Sequence, residues 1–137
     1  MTTAGPPDGG EAGAADKPDV LLVSGDLLSA SRIAGLATAV AGSFAQVATP
    51  EAAPPDRAWR VVLVDLQTLP GDPAEILARV HAGPAAAGGG PPPRIIAFGP
   101  HVAKERLERA RQAGAHLVVS RGELLGDFAA VLARGLG

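Results

Sequence analysis

Residues 61 to 66 read Val61-Val62-Leu63-Val64-Asp65-Leu66, four consecutive apolar and mostly β-branched residues that end on a carboxylate. A strand covered on one face alternates apolar and polar positions. This run does not alternate, so it reads as an interior strand of a parallel sheet with helices on both faces. Three further runs have the same character: Val20-Leu21-Leu22-Val23, Ile95-Ile96-Ala97-Phe98 and Leu117-Val118-Val119. A fainter one, Ala45-Gln46-Val47-Ala48, stands second in chain order and brings the strands to five.

Between these runs the pattern switches to helical period. Ile33, Leu36, Ala37 and Val40 recur at i, i+3, i+4 and i+7, and Gly42 is placed to close that helix in a left-handed conformation. Asp72-Pro73-Ala74-Glu75 is a helix start: Asp can cap, Pro suits the first helical position, and Glu stands three residues after the cap. Ile76, Leu77 and Val80 supply its apolar stripe. Further on, Ala103, Leu107, Ala110 and Gly114 line one helix face, while Lys104 with Glu108 and Glu105 with Arg109 are spaced for i,i+4 pairs. Ser120-Arg121-Gly122-Glu123 is a capping box ahead of Leu124, Phe128, Val131 and Leu132. Pro50, Pro54 and Pro55 reduce the crossover between the second and third strands to a turn or two. The expected architecture is α/β, a five-stranded parallel sheet in the flavodoxin-like order 2-1-3-4-5 with helices on both faces and a reduced second helix.

Composition sets the boundaries. The 18 Gly and 13 Pro are concentrated, seven of them in residues 1–18 and eight in residues 83–93, so the rest of the 137-residue chain is ordinary globular sequence. Residues 1–18 are expected to be a disordered, dispensable tail and residues 19–137 one domain. The tail accounts for the whole net charge of −2, and 11 acids balance 11 bases in residues 19–137. Such a domain has no excess basic field for nucleic acid or anionic lipid. With no cysteine, disulfides, thiolate metal sites and cysteine nucleophiles are excluded. No apolar run approaches 18 residues and no signal peptide pattern opens the chain, so a cytoplasmic protein is expected.

In an open parallel sheet, functional groups gather at the carboxyl ends of the strands. Here those ends carry Ser24-Gly25-Asp26, Asp65, Gly99-Pro100-His101 and Ser120-Arg121. Asp65 directly follows a buried run, where a carboxylate is costly unless it reaches solvent, a cation or hydrogen-bond donors. By that argument Asp65→Asn can stabilise the fold, and in a domain that works without phosphate it leaves partner binding intact. With the first and third strands adjacent, about 4.8 Å apart, Asp26 and Asp65 face one crevice, and two carboxylates with waters suit Mg²⁺. The alternative is that Asp26 caps the first helix and Asp65 braces its loop. The glycine triplet Gly88-Gly89-Gly90 lacks the Lys-Ser/Thr of a phosphate-binding loop. His101 reads as a first-turn helix histidine bonded to nearby backbone, and Trp59 as packed at the start of the third strand.

Over roughly residues 19 to 135 the chain resembles a bacterial response-regulator receiver domain. The resemblance rests on Val61-Val62-Leu63-Val64-Asp65-Leu66 with Pro70-Gly71 and a helix behind it, and on the gapless spacing from Gly99 through the charged helix to Ala113-Gly114-Ala115. It implies that Asp65 stands at the phosphoacceptor position. Departures accompany it. The two adjacent acids that hold Mg²⁺ in receivers are Ser24 and Gly25 here, leaving Asp26 and Asp65 as the implied metal ligands. The Ser or Thr that bonds the phosphoryl group is Gly99, the Lys after the fifth strand is Arg121, and the Pro after it is Gly122. Pro70 also falls one residue late.

An atypical or pseudo-receiver follows: a stand-alone signalling or interaction module, independent of phosphorylation and not an enzyme, that docks onto another protein. The resemblance implies a histidine kinase or an output protein as partner, and a homodimer is a further class. The charged helix face with Lys104, Arg106, Glu108 and Arg111 is either solvated or the partner surface. Nucleic acid, membrane and cofactors are not expected, Mg²⁺ at Asp26 and Asp65 aside. The alternative function is a phosphoacceptor of a two-component phosphorelay using Asp65. A third is a flavodoxin-like nucleotide- or cofactor-binding enzyme, disfavoured because the first strand leads into no G-x-G-x-x-G.

Overall fold

The computed structural model describes residues 17–55, 57–88 and 90–137. The strands are β1 (Asp19–Val23), β2 (Ser43–Val47), β3 (Val61–Asp65), β4 (Arg94–Gly99) and β5 (Leu117–Ser120), and they form one parallel sheet in the order β2-β1-β3-β4-β5. The α-helices are α1 (Leu27–Ala37), α2 (Pro73–Ala82), α3 (Lys104–Gln112), α4 (Arg121–Gly126) and α5 (Phe128–Leu136), with 3₁₀ turns at Pro50–Ala52 and Pro84–Ala86. The crossover between β2 and β3 is thus reduced to the first of these turns, as its prolines dictate. The part of the expected tail at residues 1–16 lies outside the described residues. Pro18 is buried, and its carbonyl accepts the Gly42 N–H at 2.7 Å.

Successive side chains of a strand point to opposite faces, and both faces are covered here, which is why the strand sequences are continuously apolar. Leu21, Val23, Val62, Val64, Ile95 and Ala97 pack with Ile76, Leu77 and Val80 of α2 and Ala110 of α3. Val20, Leu22, Val61, Leu63, Ile96 and Phe98 pack with Ile33 of α1, Leu124 of α4 and Phe128, Val131 and Leu132 of α5. The central β3 is buried at all five positions, whereas the edge strand β2 is only half-buried throughout, so its sequence signal is faint and its start lies two residues earlier than expected. Trp59 packs into the first core, and its Nε1–H donates to the Pro54 carbonyl at 3.2 Å.

The expected caps form where the partner is local. Asp72 accepts the Ala74 N–H at 3.4 Å and Pro73 occupies the first turn of α2; Ser120 accepts the Glu123 N–H at 3.1 Å at the start of α4. Four expectations need correction. The first helix stops at Ala37 with a right-handed Thr38 as its cap, so Gly42 does not close it. Gly42 is required instead by close approach, because a Cβ there would lie 2.8 Å from the Lys17 carbonyl oxygen. The i,i+4 pairs on α3 give way to better partners: Arg109 grips Asp72 through Nε and Nη2, at 2.8 and 2.5 Å, and Glu108 pairs with Arg111. Arg109 accordingly holds the Asp72 carboxyl below the usual carboxylate range. The last helix is broken in two at Asp127 (φ −148°, ψ 51°). His101 sits exposed in a turn three residues ahead of α3, not in its first turn.

Candidate functional site

Register sets the site. Val23 of β1 lies opposite Val64 of β3, so the next residues, Ser24 and Asp65, stand side by side at the carboxyl edge of the sheet. Both are fully buried. They point to the same side as Leu22 and Leu63, toward α1 and α4. Ser24 Oγ donates to Asp65 Oδ2 at 2.8 Å and itself accepts the Asp26 N–H at 3.1 Å. The Gln67 N–H donates to Asp65 Oδ1 at 3.1 Å, and the Arg121 guanidinium reaches the same oxygen at 3.5 Å. Because β5 ends at Ser120 and α4 begins at Arg121, no loop intervenes, and the first helical residue projects over the strand ends.

Arg121 is the hub. Its Nη2 donates to Gln67 Oε1 at 2.7 Å, its Nη1 to Ser29 Oγ, and its guanidinium stacks 5.7 Å from the centre of the Phe98 ring. Planar guanidinium chemistry suits this combination of forked donation and ring stacking, which an ammonium would not reproduce. Ser29 passes the contact on, donating to Asp26 Oδ2 at 2.8 Å, while Asp26 Oδ1 accepts the Leu28 N–H at 3.1 Å and caps α1. The Ser29 hydroxyl, with the α1 amides and Arg121 assisting against partial burial, holds the Asp26 carboxyl below its ordinary value. Asp26 and Asp65 are therefore brought into one network, through Ser24 on one side and through Ser29 and Arg121 on the other. This network borders a groove of about 560 Å³ lined by Leu28, Ser29, Arg32, Gln67, Arg121 and Leu125 among others.

The remaining candidates are distributed differently. Gly99 ends β4, paired with Ser120, on the opposite side of the sheet edge from Asp65. Lys104, Glu108 and Arg111 are exposed on α3. Arg106 is half-buried and turns back on the fold: it donates to the carbonyls of Gly71 (2.9 Å), Leu66 (2.8 Å) and Leu69 (3.4 Å). The sequence marks Ser24 by its strand-end position without assigning its hydroxyl a role, and it does not single out Ser29, Gln67 or Thr68, whose Oγ1 accepts the Gly25 N–H at 2.9 Å. A polar residue at the end of an apolar strand was the only signal for Ser24, and Gln67 carried none.

No family model matches the chain, and no curated protein sequence matches it. Solved structures do. The receiver domain of the sensor histidine kinase PA1611 from Pseudomonas aeruginosa, with magnesium coordinated in its active-site cleft, is 16% identical and superposes with a TM-score of 0.67 over 88% of this chain and 98% of its own. A response regulator from Hahella chejuensis is 17% identical, with a TM-score of 0.64 over 87% of this chain and 95% of its own. This chain has the receiver-domain fold. The bacteriophytochrome response regulator RtBRR shares it, at 16% identity and a TM-score of 0.60, over 88% of this chain and 78% of its own.

The magnesium held by one of these receiver folds poses a test for this one. Mg²⁺ demands oxygen ligands in near-octahedral array, commonly one or two carboxylates with waters. Here both oxygens of Asp26 and both of Asp65 already accept from O–H or N–H donors, and a guanidinium pairs with Asp65. Among the described residues no cluster of three or more His, Asp or Glu could hold a metal. A Mg²⁺ ion at Asp26 and Asp65 would share its two carboxylates with these donors and compete with the Arg121 guanidinium. No helix among the described residues is long and apolar enough to cross a membrane.

Proposed function

We propose that this chain is a receiver-like signalling module that acts by docking onto another protein and does not depend on phosphorylation of Asp65. One observation carries the reading: the Asp65 carboxylate is fully buried and its two oxygens are engaged by Ser24, Gln67 and Arg121. Phosphoryl transfer needs an attacking oxygen free to line up with the donor and cations to neutralise the developing charge. In this chain the oxygens are in use, the acid pair is reduced to Asp26, and Gly99 supplies no hydroxyl for a phosphoryl group. A protein partner, by analogy a histidine kinase or an output protein, would meet the exposed Lys104, Glu108 and Arg111 on α3. A cytoplasmic setting goes with this reading.

The second reading, a phosphoacceptor that uses Asp65, draws on the position of that residue at the end of β3 with the Arg121 guanidinium beside it. Intact-mass measurement after incubation with Mg²⁺ and a small-molecule phosphodonor separates the two. We expect no adduct on the wild-type chain. A Mg²⁺-dependent phosphoryl adduct that is lost in Asp65→Asn would establish the second reading instead.

A further inference from the structure

On the other side of the sheet edge, the loops after β3 and β4 enclose a concavity of about 340 Å³ that Asp65 does not line. Its walls are Leu66, Leu69, Pro70, Pro100 and Ala103, with Gly99 between them and Arg106 as the charged member. A mostly apolar cleft of a few hundred Å³ with one fixed polar group is the usual form of a small-molecule site. Gly99 keeps it open. A Cβ at that position would meet Leu107 Cδ2 at 3.6 Å and Leu66 Cβ at 3.8 Å, ordinary contacts, so a larger side chain there would fill space that now stands empty.

Arg106 supplies the specificity. Its acceptors, the carbonyls of Leu66, Leu69 and Gly71, fix the guanidinium without neutralising it. Gly71 can present its carbonyl there because it adopts a left-handed conformation (φ 100°). Asp72, the carboxylate close by, is gripped by Nε and Nη2 of Arg109. Among the described residues Arg106 has no ion-pair partner, and its Nε–H has no acceptor. A half-buried cation with spare donors beside an apolar wall calls for an anion attached to an apolar body.

We propose that this cleft binds a small monocarboxylate with a compact apolar body, its carboxylate on Arg106 and its body against Leu66, Leu69, Pro70 and Pro100. The site goes beyond the docking reading and does not require it. Gln67 lines this cleft and also accepts from Arg121, so occupancy would bear on the loop that joins the cleft to the Asp65 network.

Amide-resolved NMR titration with benzoate tests the proposal, with benzamide as its uncharged counterpart. Benzoate should give saturable shifts at Gln67, Leu69, Gly71, Gly99 and Ala103. Benzamide should bind about tenfold more weakly or worse, the loss expected when a hydrogen bond to a charged group is given up. Arg106→Gln should weaken benzoate similarly. Because that residue also holds the loop, Gly99→Val serves as an independent variant, expected to abolish the shifts while the rest of the spectrum stays native-like. Shifts that do not saturate, that centre on Arg32 and Arg121, that are as strong for benzamide, or that survive Gly99→Val would each overturn it.

Discussion

Replacing Asp65 by Asn removes a charge and an acceptor from a site in which both oxygens are in use. The amide can keep its oxygen toward the Gln67 N–H and Arg121 only by turning its NH₂ toward Ser24 Oγ, which already accepts the Asp26 N–H at 3.1 Å. The Ser24 hydroxyl, whose Oγ stands 2.8 Å from a carboxylate oxygen in a fully buried position, then loses the acceptor of its proton. The opposite orientation sets NH₂ against two donors and is worse. An unsatisfied buried group costs about 1–3 kcal/mol, so the variant should be destabilised by roughly 2 kcal/mol, with the weakened Arg121 contact included. Urea denaturation should show a lower midpoint at unchanged m. In a Ser24→Ala background the cost of Asp65→Asn should shrink by about 1 kcal/mol, because the pair shares one hydrogen bond. An Asn variant as stable as wild type, or more so, would refute this network argument and restore the simpler view that a carboxylate at the end of a buried strand is a net cost.

Other outcomes follow from the same structure. Low-millimolar Mg²⁺ should leave the melting temperature unmoved, whereas a cation that bound the folded state would raise it by mass action; a rise of several degrees would mean that Asp26 and Asp65 open to metal. His116 accepts the Ile95 N–H on Nδ1 at 2.9 Å, and burial, with Arg94 and His81 nearby, pulls its pKa below the ordinary 6.5. The unfolded chain therefore takes up that proton first. The contribution is complete above the unfolded value and is lost as pH falls through the folded one, so His116→Gln should flatten the decline of the urea midpoint from about pH 7 to 5; an unchanged slope counts against it. A Cβ at Gly135 would overlap Ile96 Cδ1 and Cγ1, so Gly135→Ala should cost on the order of 1–3 kcal/mol, with part recovered by Ile96→Val; a neutral melting curve would contradict the packing. Val62→Ala and Ile96→Ala, both at fully buried positions, should cost about 2–4 kcal/mol, the valine at the lower end; near-neutral values in denaturant titrations would be incompatible with their central strands.

The strands other than β2, the caps at Asp72 and Ser120, the shortened crossover and the strand-end position of Asp65 could be read from residues alone. Each depends on neighbours a few positions away or on burial so complete that no alternation remains. Strand β2, half-covered at the sheet edge, was the least legible strand for the same reason. The site was legible only in outline. Asp26, Asp65 and Arg121 were marked by their positions after strands, but the donors that share the carboxylate oxygens were not.

What spends those oxygens lies far off in sequence: Ser24 is 41 residues from Asp65, and Arg121 is 92 from Ser29. Arg106 likewise reads as an exposed helix charge until carbonyls 35 to 40 residues away take hold of it. The sequence alone determined a doubly covered parallel sheet, because apolar runs and capping residues act through local backbone geometry and transfer from water. Only the tertiary structure decided that the carboxylates are hydrogen-bonded into one network and that a guanidinium held by backbone carbonyls lines a cleft, because strand register and helix placement choose which distant donors and acceptors meet.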